Sequence, residues 1–144
     1  MRMLALDIGD RRIGVAVSDP SGTIAQPVRV IERIGWGPDV RKIAALANEY
    51  GTNLVLAGLP LNMDGSEGGQ AEKVRAFAGK LLEAGLEIIF ADERMSTVSA
   101  ERVLIESDIR RDKRKRVVDK VAAAVILQGY LDGAARERFE DLPT

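Results

Sequence analysis

Acidic residues at the ends of two apolar segments are the side chains of this sequence most suited to chemistry. Asp7 stands inside the apolar run of residues 3–8, where an unpaired charge is costly to bury. It therefore requires a hydrogen-bond partner, a cation or contact with solvent. The nearby Gly9 lets another group approach the backbone closely. Considered alone, Asp7 is explained equally well as a strand-end carboxylate that accepts backbone hydrogen bonds.

Two further acidic positions could join Asp7 in one site. Asp92 and Glu93 follow a second apolar run, at the strand end where ligands collect in open α/β sheets. Neighbouring strand residues point to opposite faces, so one of the two should face a shared site. Asp119 lies on a predicted final helix, on a partly apolar face. Each acid also has a plain structural explanation, namely an acidic turn, a helix N-terminal acid or an ion pair with Lys115.

Composition limits the chemistry that these acids can support. The sequence contains no cysteine and no histidine, which removes thiolate ligands, the commonest zinc ligand and the commonest general base. Hard cations that prefer oxygen ligands, Mg2+ or Mn2+, are then the expected metals. A carboxylate cluster that holds two such ions about 3.5–4 Å apart suits hydrolysis of a phosphodiester.

Basic residues are concentrated in one segment, although the net charge of the chain is −1. Residues 110–116 contain six basic side chains and one acid, which favours contact with a phosphate backbone over a merely solvated loop. The glycine-rich segment 58–69 could present backbone amides to a phosphate, but it lacks the Gly-Lys-Ser/Thr ending of a P-loop and is equally explained as a plain turn loop. Aromatic residues make up only 4% of the chain, so base stacking is not the obvious binding mode.

The elements that must position these residues alternate between strand and helix patterns. Strands are predicted at 3–8, 13–18, 24–31, 54–57 and 86–91, and Pro27 either places the third near an edge or interrupts it. Helices are predicted at 39–50, 70–84, from Ser96 or Thr97 to about 107, and at 117–136. The pattern predicts an α/β fold with a mixed five-stranded sheet, in which an antiparallel meander is followed by parallel crossovers, with helices on both faces.

Length and hydropathy set the expected organisation. The 144 residues fit a single domain over residues 1–137 with a short tail at 138–144. We find no apolar run long enough for a transmembrane helix and no signal peptide, so we expect a cytoplasmic protein that does not bind membranes.

Four segments of the sequence together resemble the YqgF/RuvX-like family: residues 6–19, 58–68, 92–97 and 118–127, with similarity from residue 1 to about 132. The resemblance implies an RNase H-like fold and a cytoplasmic bacterial nuclease that matures the 5′ end of pre-16S ribosomal RNA during ribosome biogenesis. It implies that Asp7 holds the metals, that Glu93 is the second ligand with Asp92 as the fallback, and that Asp119 completes the catalytic set. The residues expected to contact nucleic acid are Arg11, Arg12, Asn62, Ser66, Arg94, Arg110, Arg111, Lys113, Arg114, Lys115 and Arg116.

Three alternatives remain open from the sequence. A Holliday-junction resolvase would use the same chemistry on branched DNA and would be expected to form a symmetric dimer. RuvC-type resolvases, however, carry two acids three residues apart on the final helix, and the second position here is Ala122. A nucleotide-binding phosphotransfer domain would need a second domain that 144 residues do not accommodate. A non-catalytic RNA-binding ribosome-assembly factor would use the basic segment but not the acids. We expect a structured RNA precursor as the partner, branched DNA as the alternative, and a monomer or weak homodimer.

Overall fold

The computed structural model describes residues 2–93 and 120–133, which form a five-stranded sheet and the helices packed on it. The predicted helix at 96–107 and the basic segment lie outside these residues. The elements are β1 (Leu4–Ile8), β2 (Arg12–Ser18), β3 (Ala25–Glu32), α1 (Trp36–Glu49), β4 (Leu54–Leu59), α2 (Gly69–Glu83), β5 (Glu87–Asp92) and a helix, α3, at residues 120–133.

The sheet has the strand order β3-β2-β1-β4-β5. β1, β2 and β3 pair antiparallel as a meander, while β1–β4 and β4–β5 pair parallel. The predicted mixed sheet is therefore confirmed. β3 is an edge strand, as Pro27 predicted, and the register of its pairing with β2 shifts between Val15 and Ala16, next to the Ala16–Pro27 pair.

Alternating side chains of the sheet build two separate apolar cores. Leu4, Leu6 and Ile8 of β1 pack on the side of α1 and α2, together with Phe77. Residues of opposite parity, such as Ala5, pack on the side of α3 with its alanines and leucines. Helices therefore cover both faces of the sheet, as predicted. None of the helices in the described ranges is long and apolar enough to cross a membrane.

Two boundaries within the described residues differ from the predicted ones by more than one residue. Helix α1 begins at Trp36 rather than Asp39, because Pro38 lies in its first turn, where a proline is tolerated. Strand β4 continues through Gly58 and Leu59, which the sequence assigned to a loop, because both pair in register with β5. The second difference matters for the site, since Gly58 lies beside a candidate metal ligand.

Candidate active site

The carboxyl groups of Asp7 and Glu93 lie together at one end of the sheet and share a hydrogen bond. Asp7 is near the end of β1, and Glu93 directly follows β5. The parallel strands β1, β4 and β5 end at the same edge, so two acids that are 86 positions apart in the sequence meet there. Asp92, the neighbouring acid, is exposed. Of the two adjacent acids, the structure brings Glu93 to Asp7.

Strand parity determines which side of the sheet carries this pair. Asp7 has the parity of Ala5, which packs in the core beneath α3. Its side chain therefore lies on the α3 face, near the edge, and is half-buried. A one-residue change of register would move Asp7 to the α1–α2 face.

Gly58 of β4 makes the room that Glu93 occupies. A Cβ added at Gly58 would lie 3.6 Å from Oε2 of Glu93 and only 2.9 Å from Cδ1 of Ile126 on α3. The absence of a side chain at Gly58 thus lets the Glu93 carboxyl group and α3 approach the same point of the sheet. The sequence assignment of Gly58 to a loop missed this role, although a glycine after an apolar strand is a signal of close approach.

The environment of Asp7 strongly favours its neutral form. Burial, followed by the hydrogen bond and the negative charge of Glu93, raises the pKa of Asp7 from 3.8 to about 8. A hydrogen bond between two carboxyl groups requires a proton on one of them. Asp7 and Glu93 would offer carboxylate oxygens to a hard divalent cation, whose charge would compensate theirs, so the donor set fits such an ion.

Two carboxylates do not complete a metal site by themselves. Within residues 2–93 and 120–133, no three acidic side chains come together in a way that could hold an ion. Asp119 lies outside the described residues, and it directly precedes α3 in the sequence. The apolar face predicted for this helix is confirmed, because Ala122, Ala123 and Ile126 are buried.

Helix α3 is fixed to the sheet by Gln128 as well as by apolar packing. The Gln128 side chain accepts a hydrogen bond from the Ala25 amide through Oε1 (2.9 Å) and donates through Nε2 to the Thr23 carbonyl (2.9 Å). These contacts join α3 to the β2–β3 connection and set its position along the sheet. The sequence gave no signal for this role of Gln128.

The loop between β4 and α2 uses its own polar groups to hold its shape. The Asn62 amide donates to the Ser66 carbonyl (2.8 Å), and the Asn62 side chain donates to Ser66 Oγ (3.0 Å). The Ser66 amide and hydroxyl both donate to Asp64 Oδ1. Several amides that a phosphate would use therefore already donate within the loop. Nucleic-acid contact by Asn62 and Ser66 remains a prediction.

The basic residues of the β1–β2 turn differ in their surroundings. Arg11 is exposed at the tip of the turn, whereas Arg12 pairs with Glu32 across the hairpin (3.2 Å). The Gly9 carbonyl accepts a hydrogen bond from Arg33 Nη1 (2.8 Å), and Arg33 Nε pairs with the fully buried Asp39 (3.3 Å). Arg33 and Asp39 thus brace the turn that follows Asp7, a role that the sequence did not reveal.

The remaining predicted contact residues lie outside the described part of the chain. This applies to the candidate ligand Asp119 and to the basic residues Arg94, Arg110, Arg111, Lys113, Arg114, Lys115 and Arg116.

Solved structures with the same arrangement define the class of fold. RuvC of T. thermophilus in complex with a Holliday junction substrate matches with a TM-score of 0.61 at 14% identity, over 94% of this chain and 96% of that chain. The fowlpox virus resolvase in complex with Holliday junction DNA matches with a TM-score of 0.53 at 13% identity, over 93% of this chain and 99% of that one. At these identities the likeness is one of fold, and the fold is RNase H-like, as in the RuvC nucleases.

Sequence comparison identifies the family within this class. The chain belongs to the RuvX family, whose model carries the description "Holliday junction resolvase" and matches residues 1–133. A protein of Desulforamulus reducens named "Putative pre-16S rRNA nuclease" is 51% identical over 94% of this chain and 100% of its own length. A protein of Clostridium tetani with the same name is 51% identical over 92% of this chain and 96% of its own length.

Proposed function

We propose that this protein is a divalent-metal-dependent nuclease that processes the 5′ end of pre-16S ribosomal RNA. The observation that carries the proposal is the hydrogen-bonded pair of carboxyl groups, Asp7 and Glu93, at the sheet edge. The protein belongs to a family whose model is described as a resolvase, and its relatives carry the name of a nuclease. Both findings support a nuclease and agree with metal binding by Asp7 and Glu93.

The two acids act as metal ligands in this proposal. A bound Mg2+ or Mn2+ would supply Lewis-acid activation of water and charge stabilisation at the scissile phosphate. Asp7 must release its proton to become a ligand, so cation binding near pH 7 is coupled to proton release. Gly58 leaves the space in which the Glu93 carboxyl group stays beside Asp7. Apolar packing of Ile126 against this point excludes water from one side of the pair.

Asp119 is our candidate for the third ligand. It stands seven residues before Ile126, which corresponds to two helical turns, and Ile126 approaches the sheet beside Glu93. Sequence spacing alone supports this assignment. The alternative second ligand, Asp92, has less support because it is exposed, whereas Glu93 shares a hydrogen bond with Asp7.

A structured RNA precursor is the proposed substrate. We propose that a monomer or weak homodimer binds it in the cytoplasm. Arg11, exposed at the turn that follows Asp7, is the described basic residue best placed to meet a phosphate near the edge. The basic segment 110–116 would add further contacts by its charge. The name shared by the relatives of Desulforamulus and Clostridium supports the pre-16S substrate.

Resolution of branched DNA is the second candidate function. It is favoured by the description of the family model and by the RuvC complex, which has a Holliday junction in the matching fold. It is disfavoured by Ala122, a buried apolar residue at the position where RuvC-type resolvases carry a second helix acid.

Cleavage assays with three single substitutions test the proposal. A labelled RNA that carries the 5′ leader of 16S rRNA and a four-way DNA junction are each incubated with Mg2+, Mn2+ or chelator. We expect Asp7→Asn and Glu93→Gln to lower the cleavage rate by more than about 100-fold. Loss of a metal ligand should reduce activity more than loss of a residue that only supports a ligand. Both variants should still bind RNA.

Asp92→Asn is the matched control, because it removes an adjacent carboxylate that is exposed. Near-normal cleavage by this variant is expected. If Asp92→Asn stops cleavage and Glu93→Gln does not, the second ligand is Asp92. Normal cleavage by Asp7→Asn would refute the carboxylate site altogether, and preference for the junction over the RNA would favour the second function.

A further inference from the structure

The chain contains a single tryptophan, Trp36, which is 46% exposed at the start of α1. Its ring packs edge-on against the buried Phe77, with centroids 6.3 Å apart and planes at 81°. Ile34, two positions earlier in the sequence, is also exposed, at 70%. The packing on Phe77 fixes the ring, so Trp36 presents a preformed aromatic surface.

Two open clefts share Trp36 as a lining residue. The first, of about 410 Å3, is lined by Trp36 together with Lys73 and Asp10. The second, of about 480 Å3, is lined by Trp36 together with Arg41 and Lys80. Each volume falls in the range of sites for small molecules, which is enough for a nucleobase. Trp36 is therefore common to two spaces that could each receive one base.

Each of the two clefts that Trp36 lines contains one exposed lysine, Lys73 in the first and Lys80 in the second. Within residues 2–93 and 120–133, Lys73 makes one ion pair, an exposed one with Asp10 at 3.4 Å, and such pairs contribute little and are readily exchanged. Lys80 has a similarly loose pair with Glu83 at 3.7 Å. Arg33 and Asp39 also line the first cleft, and because they form an ion pair they add no net charge to it. A ring flanked by exposed lysines is the arrangement that proteins use to bind single-stranded nucleic acid.

The first cleft is close to the candidate metal ligands. Asp10 lines it, and Asp10 follows Asp7 by three residues, so their Cα atoms are at most about 11 Å apart. The cleft lies on the α1–α2 side of the sheet, whereas Asp7 faces α3. A strand that leaves the Asp7 edge would cross the β1–β2 turn, where Arg11 is exposed, and reach Trp36.

We propose that Trp36, Lys73 and Lys80 form a binding track for single-stranded RNA, in which bases stack on the Trp36 ring and phosphates contact the two lysines. The track rests on the proposed nuclease function and specifies its substrate as RNA with an unpaired segment beside the cleavage site. An exposed lysine in each cleft and continuity with the Asp7 turn favour RNA over a protein partner.

Trp36 reports on its own occupancy, because it is the sole tryptophan. The full-length protein is titrated with oligoadenylate in the presence of chelator, and tryptophan fluorescence is recorded together with anisotropy of labelled RNA. We expect saturable quenching with single-stranded RNA and much weaker quenching with a duplex of equal length. Trp36→Ala should lower the affinity about 5- to 100-fold, the effect of removing one stacked base. Trp36→Phe, which keeps an aromatic ring, should retain most of the affinity.

Lys73→Ala and Lys80→Ala test the phosphate contacts, and Lys42→Ala is the matched control because Lys42 is exposed on α1 and lines neither cleft. Each of the first two should reduce the slope of log affinity against log salt by about 0.7, and the control should not. RNA binding without a change in Trp36 fluorescence, or unchanged affinity in Trp36→Ala, would overturn the track and leave this face to a protein partner. These readouts need no cleavage, so failure of the track and failure of the nuclease proposal are distinguishable.

Discussion

Replacement of Asp7 by asparagine should stabilise the metal-free protein at neutral pH. The pKa of Asp7 is raised from 3.8 in the unfolded chain to about 8 in the folded one. Between these values the folded state holds a proton that the unfolded state has released. The free energy of unfolding therefore falls as pH rises from about 4 to about 8, and the contribution of the protonated group is fully present only below pH 3.8. Asparagine does not titrate, and its amide can still donate to Glu93.

The size of the effect follows from the shift. Each pKa unit corresponds to about 1.4 kcal/mol, and pH 7 lies about three units above 3.8, which gives an upper limit near 4 kcal/mol. Asp7 is half-buried, so access of water lowers this value. We expect Asp7→Asn to be more stable at pH 7 by about 2–4 kcal/mol, a rise in Tm on the order of 5–15 °C.

Urea unfolding of both proteins at several pH values, with chelator and with Mg2+, measures this difference. In chelator the two proteins should have similar stability near pH 4 and diverge as pH rises. Added Mg2+ should stabilise the parent protein, because the cation binds the ionised pair in the folded state alone, and should leave Asp7→Asn unaffected. Asp92→Asn should respond to Mg2+ as the parent does.

The opposite pattern would refute the reasoning. If Asp7→Asn is less stable at every pH and Mg2+ stabilises neither protein, then Asp7 is a structural strand-end carboxyl group. Both the proposed metal site and the raised pKa of Asp7 would then be refuted.

Three further substitutions test the surroundings of the pair. Gly58→Ala should destabilise the protein by about 1–3 kcal/mol, because the added Cβ would lie 2.9 Å from Cδ1 of Ile126. Ile126→Val lacks that atom, so it should relieve part of the loss in a double-mutant cycle measured by urea unfolding. Gln128→Leu should cost about 1–3 kcal/mol, because two hydrogen bonds to the β2–β3 connection are lost, and normal stability would show that apolar packing alone holds α3. Arg33→Met should cost about 3–5 kcal/mol, because the buried Asp39 loses its ion-pair partner and keeps the hydrogen bond from the Ile34 amide. Arg33→Met with Asp39→Leu should recover most of this loss in thermal melts, and no recovery would mean that the Gly9 contact dominates.

Periodicity in the sequence was sufficient to predict the sheet and its two helical layers. The continuous apolar runs at β1 and β4 mark strands buried on both faces, and the alternation of strands with helices after residue 50 predicts parallel crossovers. The start of α1 was missed because Gly35, Gly37 and Pro38 were interpreted as breakers, although proline fits the first helical turn.

The site was predicted less completely than the fold, because its geometry depends on contacts between distant segments. The sequence could indicate that one of Asp92 and Glu93 faces Asp7, but the resemblance rather than the pattern favoured Glu93. Gly58 and Gln128 escaped notice because their importance lies in the approach of α3 to the sheet. The exposed Trp36 escaped for the opposite reason, since a low aromatic content argued against stacking before the position of the ring was known.

The edge strand β3 has a consequence for how copies of this protein can associate. Pro27 removes a backbone donor from the edge, and the register shift beside it interrupts the regular ladder with β2. Arg29 adds an exposed charge to the same strand. Such an edge is a poor template for another strand, so it protects the protein against sheet extension and aggregation at high concentration. If two copies associate, we expect their helical faces, rather than a sheet continued through β3, to form the contact.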